Sequence, residues 1–302
     1  MIDLYCGINE TAWNHQRTQP GRYACIAPIY GASEKTRREN RVRVPGWTKV
    51  RQDSGAFSDG PRSRLSFAAA LDRQIEHGHK FGYHDQIVDR ASYDLLIDEV
   101  WTSDNRYKRR WSENNAWAAV KETVEAAAYM ALNYTGPRVL SAQGVTDKQY
   151  LDCTLRVLEW FDTNNDTFGL GGWCISGKMP TVMREPFDDT ISLVLPVLAR
   201  AGVKRLHIWG VMDSLFLGPL LYLCDEYGLH LSTDSSGPSV RPANGEWGYK
   251  GWRNPNFKRP DPIVRGIFRA LHVHETRKQL ARMRQTKYYK PPVIQLKQMV
   301  ML

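Results

Sequence analysis

Two acidic residues stand in short polar turns where a carboxylate is able to do chemistry. Asp53 closes a β-like run and is followed by Ser54–Phe57, whose small residues let the backbone turn tightly. Asp234 lies within Ser232–Gly237, a run of small polar residues. A carboxylate at a strand end is suited to attack, or to transfer a proton at, a ligand held beyond the sheet. The same residues also fit an Asx turn at Asp53 and a helix N-cap or turn at Asp234.

Other turns of this kind carry groups suited to binding a flat heterocycle. They are acids, amides, glycine turns and rings: Ser54, Phe57, Asp98, Gln143, Gly171, Gly172, Trp209 and Gly210. If the strand ends converge, the two rings hold a purine-like base between them while the acid and the amide read its edge. Plainer roles also fit, with Asp98 as a strand-end cap, Gln143 as a surface amide and the rings as core residues.

The elements that must position these residues form an alternating pattern. Short β-like runs alternate with stretches in which apolar residues recur every three or four positions. The candidate strands are Ile2–Tyr5, Tyr23–Ile26, Val50–Asp53, Asp94–Asp98, Arg138–Ala142, Thr167–Leu170, Arg205–Trp209 and Leu229–Thr233. The candidate helices are Leu65–His79, Glu113–Asn133, Thr146–Asp162, Phe187–Ala201 and Ser214–Tyr227.

Eight strands with intervening helices predict an α/β fold, a (β/α)8 TIM-like barrel whose chemistry lies at the C-terminal strand ends. We expect a single catalytic barrel domain over residues 1–275, with a basic helix end and tail over residues 276–302. The first two units carry weaker helix signals, which leaves a doubly wound sheet as the alternative.

Composition narrows the class of protein. The chain has 302 residues and is 42% hydrophobic, which is enough for a packed core. No apolar run reaches 18 residues and the N-terminus lacks the pattern of a signal peptide, so no membrane partner is expected. Five scattered cysteines without a Cys-x-x-Cys pair argue against a disulfide framework and a zinc ribbon, and they predict a cytoplasmic protein.

The net charge of +9 favours a polyanionic partner, because clustered cations gain from releasing the counterions around phosphates. Basic residues flank the strand-end turns, and after Asp234 they alternate with aromatic rings, as on strand-binding surfaces. The residues expected to contact nucleic acid are Arg51, Arg109, Arg110, Arg241, Lys250 and Arg253. Some of these charges also fit ordinary solvated loops.

Six short motifs, in order over roughly residues 50–240, resemble those of the tRNA-guanine transglycosylase superfamily. The motifs are Asp53-Ser54-Gly55-Ala56-Phe57, Leu96-Ile97-Asp98-Glu99, Ser141-Ala142-Gln143-Gly144, Gly169-Leu170-Gly171-Gly172, His207-Ile208-Trp209-Gly210-Val211 and Ser232-Thr233-Asp234-Ser235-Ser236-Gly237. Two residues depart from the family pattern. Ala56 replaces a glycine of the first motif, and Val100 stands where the second motif continues with a cysteine.

The resemblance implies a pentosyltransferase that replaces guanine in nucleic acid with a 7-deazaguanine such as preQ0. It implies that Asp234 is the nucleophile that bonds to the sugar C1′ and that Asp53 is the general acid/base. By the same resemblance, Asp98, Gln143 and the turn at Gly172 address the edge of the base. Phe57 and Trp209 are then placed to hold its two faces.

The family's zinc site is absent from this sequence. A Cys-x-Cys-x-x-Cys with a later His is expected after the nucleophile, yet no cysteine follows Cys224. We therefore expect no zinc subdomain, no metal and no other cofactor. This absence, the shorter chain and the opening Asp3-Leu4-Tyr5-Cys6-Gly7 resemble the phage-type branch that inserts 7-deazaguanines into DNA. DNA is thus the expected partner, with tRNA or non-catalytic nucleic-acid binding as alternatives.

Overall fold

A closed barrel of parallel strands organises the chain. The computed structural model describes residues 2–8, 23–28, 49–59, 64–95, 99–101, 107–109, 113–173, 180–211, 214–235, 246–247, 252–253 and 278. Its strands are β1 (Asp3–Ile8), β2 (Tyr23–Ile26), β3 (Lys49–Gln52), β4 (Ile87–Ala91), β5 (Glu99–Trp101), β6 (Tyr107–Arg109), β7 (Arg138–Ala142), β8 (Thr167–Leu170), β9 (Arg205–Ile208), β10 (His230–Ser235), β11 (Glu246–Trp247) and β12 (Trp252–Arg253). Eight of these strands close the barrel in the order β1-β10-β9-β8-β7-β4-β3-β2, while β5 with β6 and β11 with β12 form two-stranded antiparallel sheets.

Helices follow most of the barrel strands. The described helices are α1 (Ala56–Asp59), α2 (Phe67–Phe81), α3 (Glu113–Asn133), α4 (Asp147–Leu158), α5 (Pro180–Arg200) and α6 (Ser214–Glu226). Local sequence sets their ends. The Ser66 side chain accepts the backbone N–H of Ala69 at 3.2 Å and so caps α2, and Gly82 ends that helix in the left-handed region with φ 70°. Thr146 and Gln149 form a reciprocal capping box at the start of α4.

The core lies between the strands and the helices. Outward-facing strand residues such as Leu140, Phe168 and Leu206 belong to the same buried apolar cluster as Val120 of α3 and Leu195 of α5. Residues that alternate with these face the barrel interior, which is polar over much of its length. The sequence therefore places apolar side chains outside the strands and leaves the interior for charged groups and, at its C-terminal end, for chemistry.

The predicted single-domain (β/α)8 barrel is confirmed, and closure excludes the doubly wound sheet because β1 pairs with both β10 and β2. The bounds of β2, β7, β8 and α3 coincide with the predicted ranges. The predicted position of one strand was wrong. The fourth barrel strand is Ile87–Ala91 rather than Asp94–Asp98, which moves its C-terminal end seven residues earlier in the chain.

Two further predictions concern membrane-spanning helices and the C-terminal tail. Among those residues, no helix combines the length and the apolarity needed to cross a bilayer. The proposed tail over residues 276–302 lies outside them apart from Lys278, so the division of the chain at residue 275 stays a prediction.

Candidate active site

Asp53 begins the turn at the C-terminal end of β3. Its backbone N–H donates to the Ile26 carbonyl at 2.9 Å, which continues the β2–β3 pairing by one residue. Its Oδ1 accepts from the Gly55 N–H at 3.3 Å and the Ser54 hydroxyl at 3.5 Å. The Asx turn expected as the plainer reading is thus present. The turn orients the carboxylate, because Gly55 with φ 82° reverses the chain directly after it.

Helix α2 fixes this turn from outside the barrel. Arg73 donates to the Ser54 carbonyl at 2.8 Å and forms a bidentate ion pair with Asp59 at 2.7 and 2.9 Å. Gln74 donates to the Asp53 carbonyl at 3.1 Å. A side chain at Gly55 would lie 2.7 Å from Arg73 Nη2, so only glycine fits between the turn and the helix. The Asp53 backbone is therefore held on both sides.

Asp234 lies near the end of β10, where its carboxylate receives several donors. Its Oδ1 accepts from the Gly210 backbone N–H at 2.8 Å and faces His207 Nε2 at 3.3 Å. The side chain is only 15% exposed. Gly210, which was expected to contact the base, adopts φ 71° just past β9, and this conformation points its amide at Asp234. Gly210 is therefore placed to orient the candidate nucleophile.

The two carboxyl groups, called the acid pair below, both lie at the C-terminal end of the barrel, where the charge of Asp234 acts on Asp53. Burial, and after it the charge of Asp234, raises the pKa of Asp53 to about 6. Burial likewise raises the pKa of Asp234 to about 6, although the Gly210 N–H opposes this. The Cys25 thiol hydrogen-bonds Asp234, and burial followed by both carboxylates raises the pKa of Cys25. Interacting carboxyls titrate as a pair, so this site exchanges protons near neutral pH.

The floor beneath the acid pair is an ion pair in the barrel interior. Arg51 Nε donates to Asp89 Oδ1 at 2.7 Å and Nη2 to Oδ2 at 2.5 Å. Arg51 Nη1 donates to Ser232 Oγ at 2.8 Å. The expectation that Arg51 contacts nucleic acid is corrected here, because the residue is 3% exposed and all three guanidinium nitrogens are engaged inside the barrel. Its charge instead lowers the pKa of Asp234, in part offsetting the effect of burial.

Trp209 and Gln143, both expected to bind the base, donate hydrogen bonds to other groups of the protein. Trp209 Nε1 donates to Ser141 Oγ at 2.9 Å, and Gly169 between them has no side chain to block the indole. Gln143 is fully buried, and its amide nitrogen donates to the Leu95 carbonyl and, at 2.8 Å, to the Thr123 hydroxyl. Trp209 is half-buried. A base contact by Gln143 requires that its amide change partners.

The turn at Gly171 and Gly172 lies at the C-terminal end of β8, where a base edge was expected to bind. Gly172 adopts φ 85°, and the Gly171 carbonyl accepts from the Tyr150 hydroxyl at 2.9 Å. Asp94 Oδ2 is 3.7 Å from the position that a Cβ on Gly171 would occupy. Asp94 follows β4 and is 9% exposed. The acid at this strand end is therefore Asp94, which local sequence does not reveal because the strand predicted at Asp94–Asp98 ends seven residues after the observed one.

Several expected site residues fall outside what the structure describes. These are the Phe57, Arg109 and Arg253 side chains and the whole of Asp98, Arg110, Arg241 and Lys250. Their roles stay predictions. Among the described residues, no group of three or more His, Cys, Asp or Glu side chains is placed to hold a metal ion. His207 was also missed as a site residue, and the only signal for it was its position two residues before Trp209 in the fifth motif.

Comparison of the sequence with models of protein families gives no match, and neither does comparison with curated protein sequences. Solved structures with a similar fold include a D-psicose 3-epimerase, at 14% identity over 91% of this chain and 99% of that chain, with a TM-score of 0.45. An L-ribulose 3-epimerase is similar at 12% identity over 95% and 99%, also with a TM-score of 0.45. A D-allulose 3-epimerase from Methylomonas sp. matches at 12% identity over 92% and 98%, with a TM-score of 0.42. Likeness at this level says nothing about the activity of this chain.

Proposed function

We propose that this protein is a glycosyltransferase that replaces guanine in DNA with a 7-deazaguanine such as preQ0. The observation that carries the proposal is the acid pair. Asp53 and Asp234 are 181 residues apart in the chain, and β1 and β2 separate their strands, yet both are largely buried and the charge of Asp234 acts on Asp53. Binding alone requires neither carboxylate. Burying both destabilises the fold, and a loss of stability of this kind is typical of catalytic sites.

Asp234 is the proposed nucleophile. Departure of a base from a nucleotide passes through an oxocarbenium-like state, and a carboxylate that bonds to C1′ on the opposite face holds the sugar until the new base arrives. The Gly210 N–H fixes one carboxylate oxygen at 2.8 Å. Fixing that oxygen restricts rotation of the carboxylate, so the second oxygen keeps one direction and serves as the attacking atom.

Asp53 is the proposed general acid/base. In the first half-reaction its proton goes to the leaving guanine as the C1′–N9 bond breaks and the Asp234–C1′ bond forms. In the second, Asp53 takes the N9 proton of the incoming 7-deazaguanine as that base displaces Asp234. A pKa raised to about 6 suits both tasks, because the group then gives up and regains a proton near neutral pH.

The proposed base pocket lies between the turn at Gly171 and Gly172 and the indole of Trp209. Asp94 stands beside the glycine turn and supplies an acceptor for the N1–H and the exocyclic amine of a guanine-like base. The missing side chains at Gly171 and Gly172 let the backbone approach the opposite end of the base edge. Phe57 and Gln143 complete this pocket in the family resemblance and are kept as candidate members.

DNA is preferred over tRNA as the polymer on the resemblance to the phage-type branch. The formal charge of +9 suits either polyanion, so the choice is left to experiment. Purified protein is incubated with radiolabelled preQ0 and either duplex DNA or unmodified tRNA, and label in the polymer is counted. We expect label in DNA for the wild type and for Asp152→Asn, a change at an exposed acid on α4. Asp234→Ala should give none.

Each other outcome of this assay decides against a part of the proposal. Label in tRNA alone overturns DNA as the substrate and keeps the chemistry. Label in neither polymer, with DNA still retained by the protein on a filter, favours the non-catalytic barrel. Incorporation by Asp234→Ala at more than about a thousandth of the wild-type rate removes Asp234 as the nucleophile, since loss of a covalent catalyst lowers kcat by several orders of magnitude.

A further inference from the structure

His207 is a buried histidine that joins the candidate nucleophile to the barrel floor. It is fully buried on β9, with Nε2 3.3 Å from Asp234 Oδ1 and Nδ1 3.0 Å from Ser232 Oγ. Ser232 in turn accepts from Arg51 Nη1 at 2.8 Å. A continuous chain of polar contacts therefore runs along the barrel interior from the Arg51–Asp89 ion pair to the acid pair.

The surroundings of His207 favour its uncharged imidazole. Burial, and after it the positive charge of Arg51, holds the pKa of His207 well below its usual range. A neutral imidazole carries one N–H, so one ring nitrogen donates and the other accepts. An ionised Asp234 only accepts, which places the hydrogen on Nε2 and leaves Nδ1 without one. Ser232 Oγ lies 3.0 Å from Nδ1 and also 3.0 Å from the Leu206 carbonyl, so its one hydroxyl hydrogen has two acceptors within reach.

The neighbouring rings hold the imidazole in this orientation. Trp209 meets His207 edge-on, with ring centroids 4.3 Å apart and an interplanar angle of 79°. Tyr5 meets it at 6.1 Å and 87° from β1. The ring is therefore held from two sides as well as by its two polar contacts. Rotation of the ring about its Cβ–Cγ bond would break both hydrogen bonds at once.

We propose that His207 is a positioning residue that donates its Nε2–H to Asp234, so that the nucleophile stays ionised and keeps one orientation. This inference rests on the proposed function only in naming Asp234 the nucleophile. The Gly210 N–H and the His207 Nε2–H both meet Oδ1, which leaves Oδ2 as the oxygen without a fixed donor from β9.

The titratable groups around the acid pair come from several barrel strands. They are Tyr5 of β1, Cys25 of β2, Arg51 of β3, Asp53 just after β3, Asp89 of β4 and His207 of β9. The buried environment favours a protonated Asp234, whereas the Gly210 N–H, Arg51 and the Cys25 thiol favour the carboxylate. The His207 N–H adds to the second group. Its loss therefore raises the pKa of Asp234.

Two amide substitutions separate this role from a merely structural one. In His207→Gln the amide nitrogen reaches about the position of Nε2 and keeps the donor, whereas the shorter side chain of His207→Asn reaches only the Nδ1 position. The pKa of Asp234 is measured in each variant without substrate, by NMR titration of carboxyl-labelled aspartate. We expect His207→Asn to raise it by about 1 to 2 pH units, the effect of losing one hydrogen bond to a charged group. His207→Gln should leave it within about 0.5 pH unit.

The tautomer is tested in the wild-type protein, so that a poorly folding variant cannot leave the inference undecided. Nitrogen-15 NMR of labelled histidine should show Nδ1 of His207 unprotonated and Nε2 protonated at pH 7.5. A protonated Nδ1, or an Asp234 pKa unchanged in His207→Asn, overturns the proposal. Both measurements need no turnover, so they fail or succeed independently of the base-exchange chemistry.

Base exchange, once observed, adds a kinetic readout. An ionised nucleophile is needed, so the acid limb of the pH–rate profile should move to higher pH in His207→Asn by the same interval. His207 packs edge-on against Trp209, which lines the proposed base pocket, so the shift of the acid limb rather than the KM is the readout that tests its role. His207→Gln should recover most of the wild-type kcat. A profile that does not move in His207→Asn contradicts the proposed role.

Discussion

Arg51 and Asp89 form a bidentate ion pair across neighbouring strands in the interior of the barrel. Their Cα atoms are partners in the β3–β4 register, and the two bonds measure 2.7 and 2.5 Å. Both side chains are nearly fully buried. Water solvates neither charge, so each group depends on the other for its stabilisation. The pair therefore supports the packing of the two strands only while both members are present.

Asp89→Asn should therefore destabilise the fold strongly. Arg51 would keep a buried positive charge without a carboxylate, which costs about 3–5 kcal/mol in the free energy of unfolding. Urea denaturation at pH 7.5 measures the loss. The matched control is Asp152→Asn, which breaks the exposed pair with Arg156 on α4 and should change stability by less than about 0.5 kcal/mol. Equal effects of the two changes would contradict a buried, mutually dependent pair.

The same ion pair explains where sequence reasoning failed. Ile87–Ala91 contains two charged residues in five, a composition typical of a solvated turn, and the strand was placed at 94–98 instead. The charges are inside because each has a partner that is distant in sequence: Asp89 binds Arg51, and Arg90 donates to Gln52 at 2.8 Å. No local pattern reveals such partners. Arg51 was assigned to phosphate binding for the same reason.

Elements with plain apolar periodicity were predictable. Arg138–Ala142 and Thr167–Leu170 are buried at every position and end at glycine-containing turns, so their bounds follow from local sequence. The position of Asp53 was also predictable from the sequence, because a strand followed by Ser-Gly marks a turn. The role of His207 was not predictable, because a histidine within an apolar strand gives no sign of the Asp234 carboxylate that it faces.

The acid pair should lower stability at neutral pH. Each folded-state pKa is raised from 3.8 to about 6, so the folded protein binds protons that the unfolded chain has released, and stability falls as pH rises through about 4 to 6. Asp53→Asn removes one of the buried charges. We expect a gain of about 1–3 kcal/mol in the free energy of unfolding at pH 7.5 and a much smaller gain at pH 4.

Urea denaturation of Asp53→Asn and the wild type at both pH values measures this difference. Asp152→Asn again serves as the control, because its carboxylate is 40% exposed and its removal should give no pH-dependent gain. A stability gain that is the same at pH 4 and pH 7.5 would show that packing, rather than charge, produces it. The variant should also lose base exchange, since stability and catalysis oppose each other at this residue.

The turn after Asp53 should tolerate no side chain at Gly55. Alanine there would have to adopt φ 82° and would place its Cβ 2.7 Å from Arg73 Nη2, which the ion pair with Asp59 holds in place. We expect Gly55→Ala to cost more than about 2 kcal/mol and to lower base exchange by displacing Asp53. Gly82→Ala, with φ 70° and nothing within 4 Å, bears only the backbone strain, about 1 kcal/mol.

Measuring thermal unfolding and base exchange in Gly55→Ala and Gly82→Ala separates the steric cost at Gly55 from the backbone strain that both variants bear. Similar losses of stability in both would mean that Arg73 moves aside without penalty. Full activity in Gly55→Ala would mean that the position of Asp53 does not depend on this turn, and its assignment as the acid/base would then lose its structural support.

Asp94, rather than Asp98, should recognise the base edge. It follows the C-terminal end of β4 and lies next to the turn at Gly171, whereas the assignment of Asp98 came from the family resemblance and from a strand range that the structure corrects. Asp94→Asn replaces an acceptor with a donor where a guanine-like base donates. We expect kcat/KM for preQ0 to fall about 10- to 100-fold, the effect of losing a charged hydrogen bond, with no larger loss of affinity for DNA.

Asp98→Asn is the matched comparison, because it makes the same chemical change four residues later. Incorporation of labelled preQ0 at several concentrations gives kcat/KM for both variants, and gel-shift titration gives their affinity for DNA. A larger loss in Asp98→Asn would return the recognition role to the residue that the family resemblance selects. A loss of DNA affinity in Asp94→Asn that exceeds its loss of kcat/KM for preQ0 would instead mean that this acid shapes the surface around the barrel mouth, because a residue that reads the base edge acts on the target guanine and the incoming base alike.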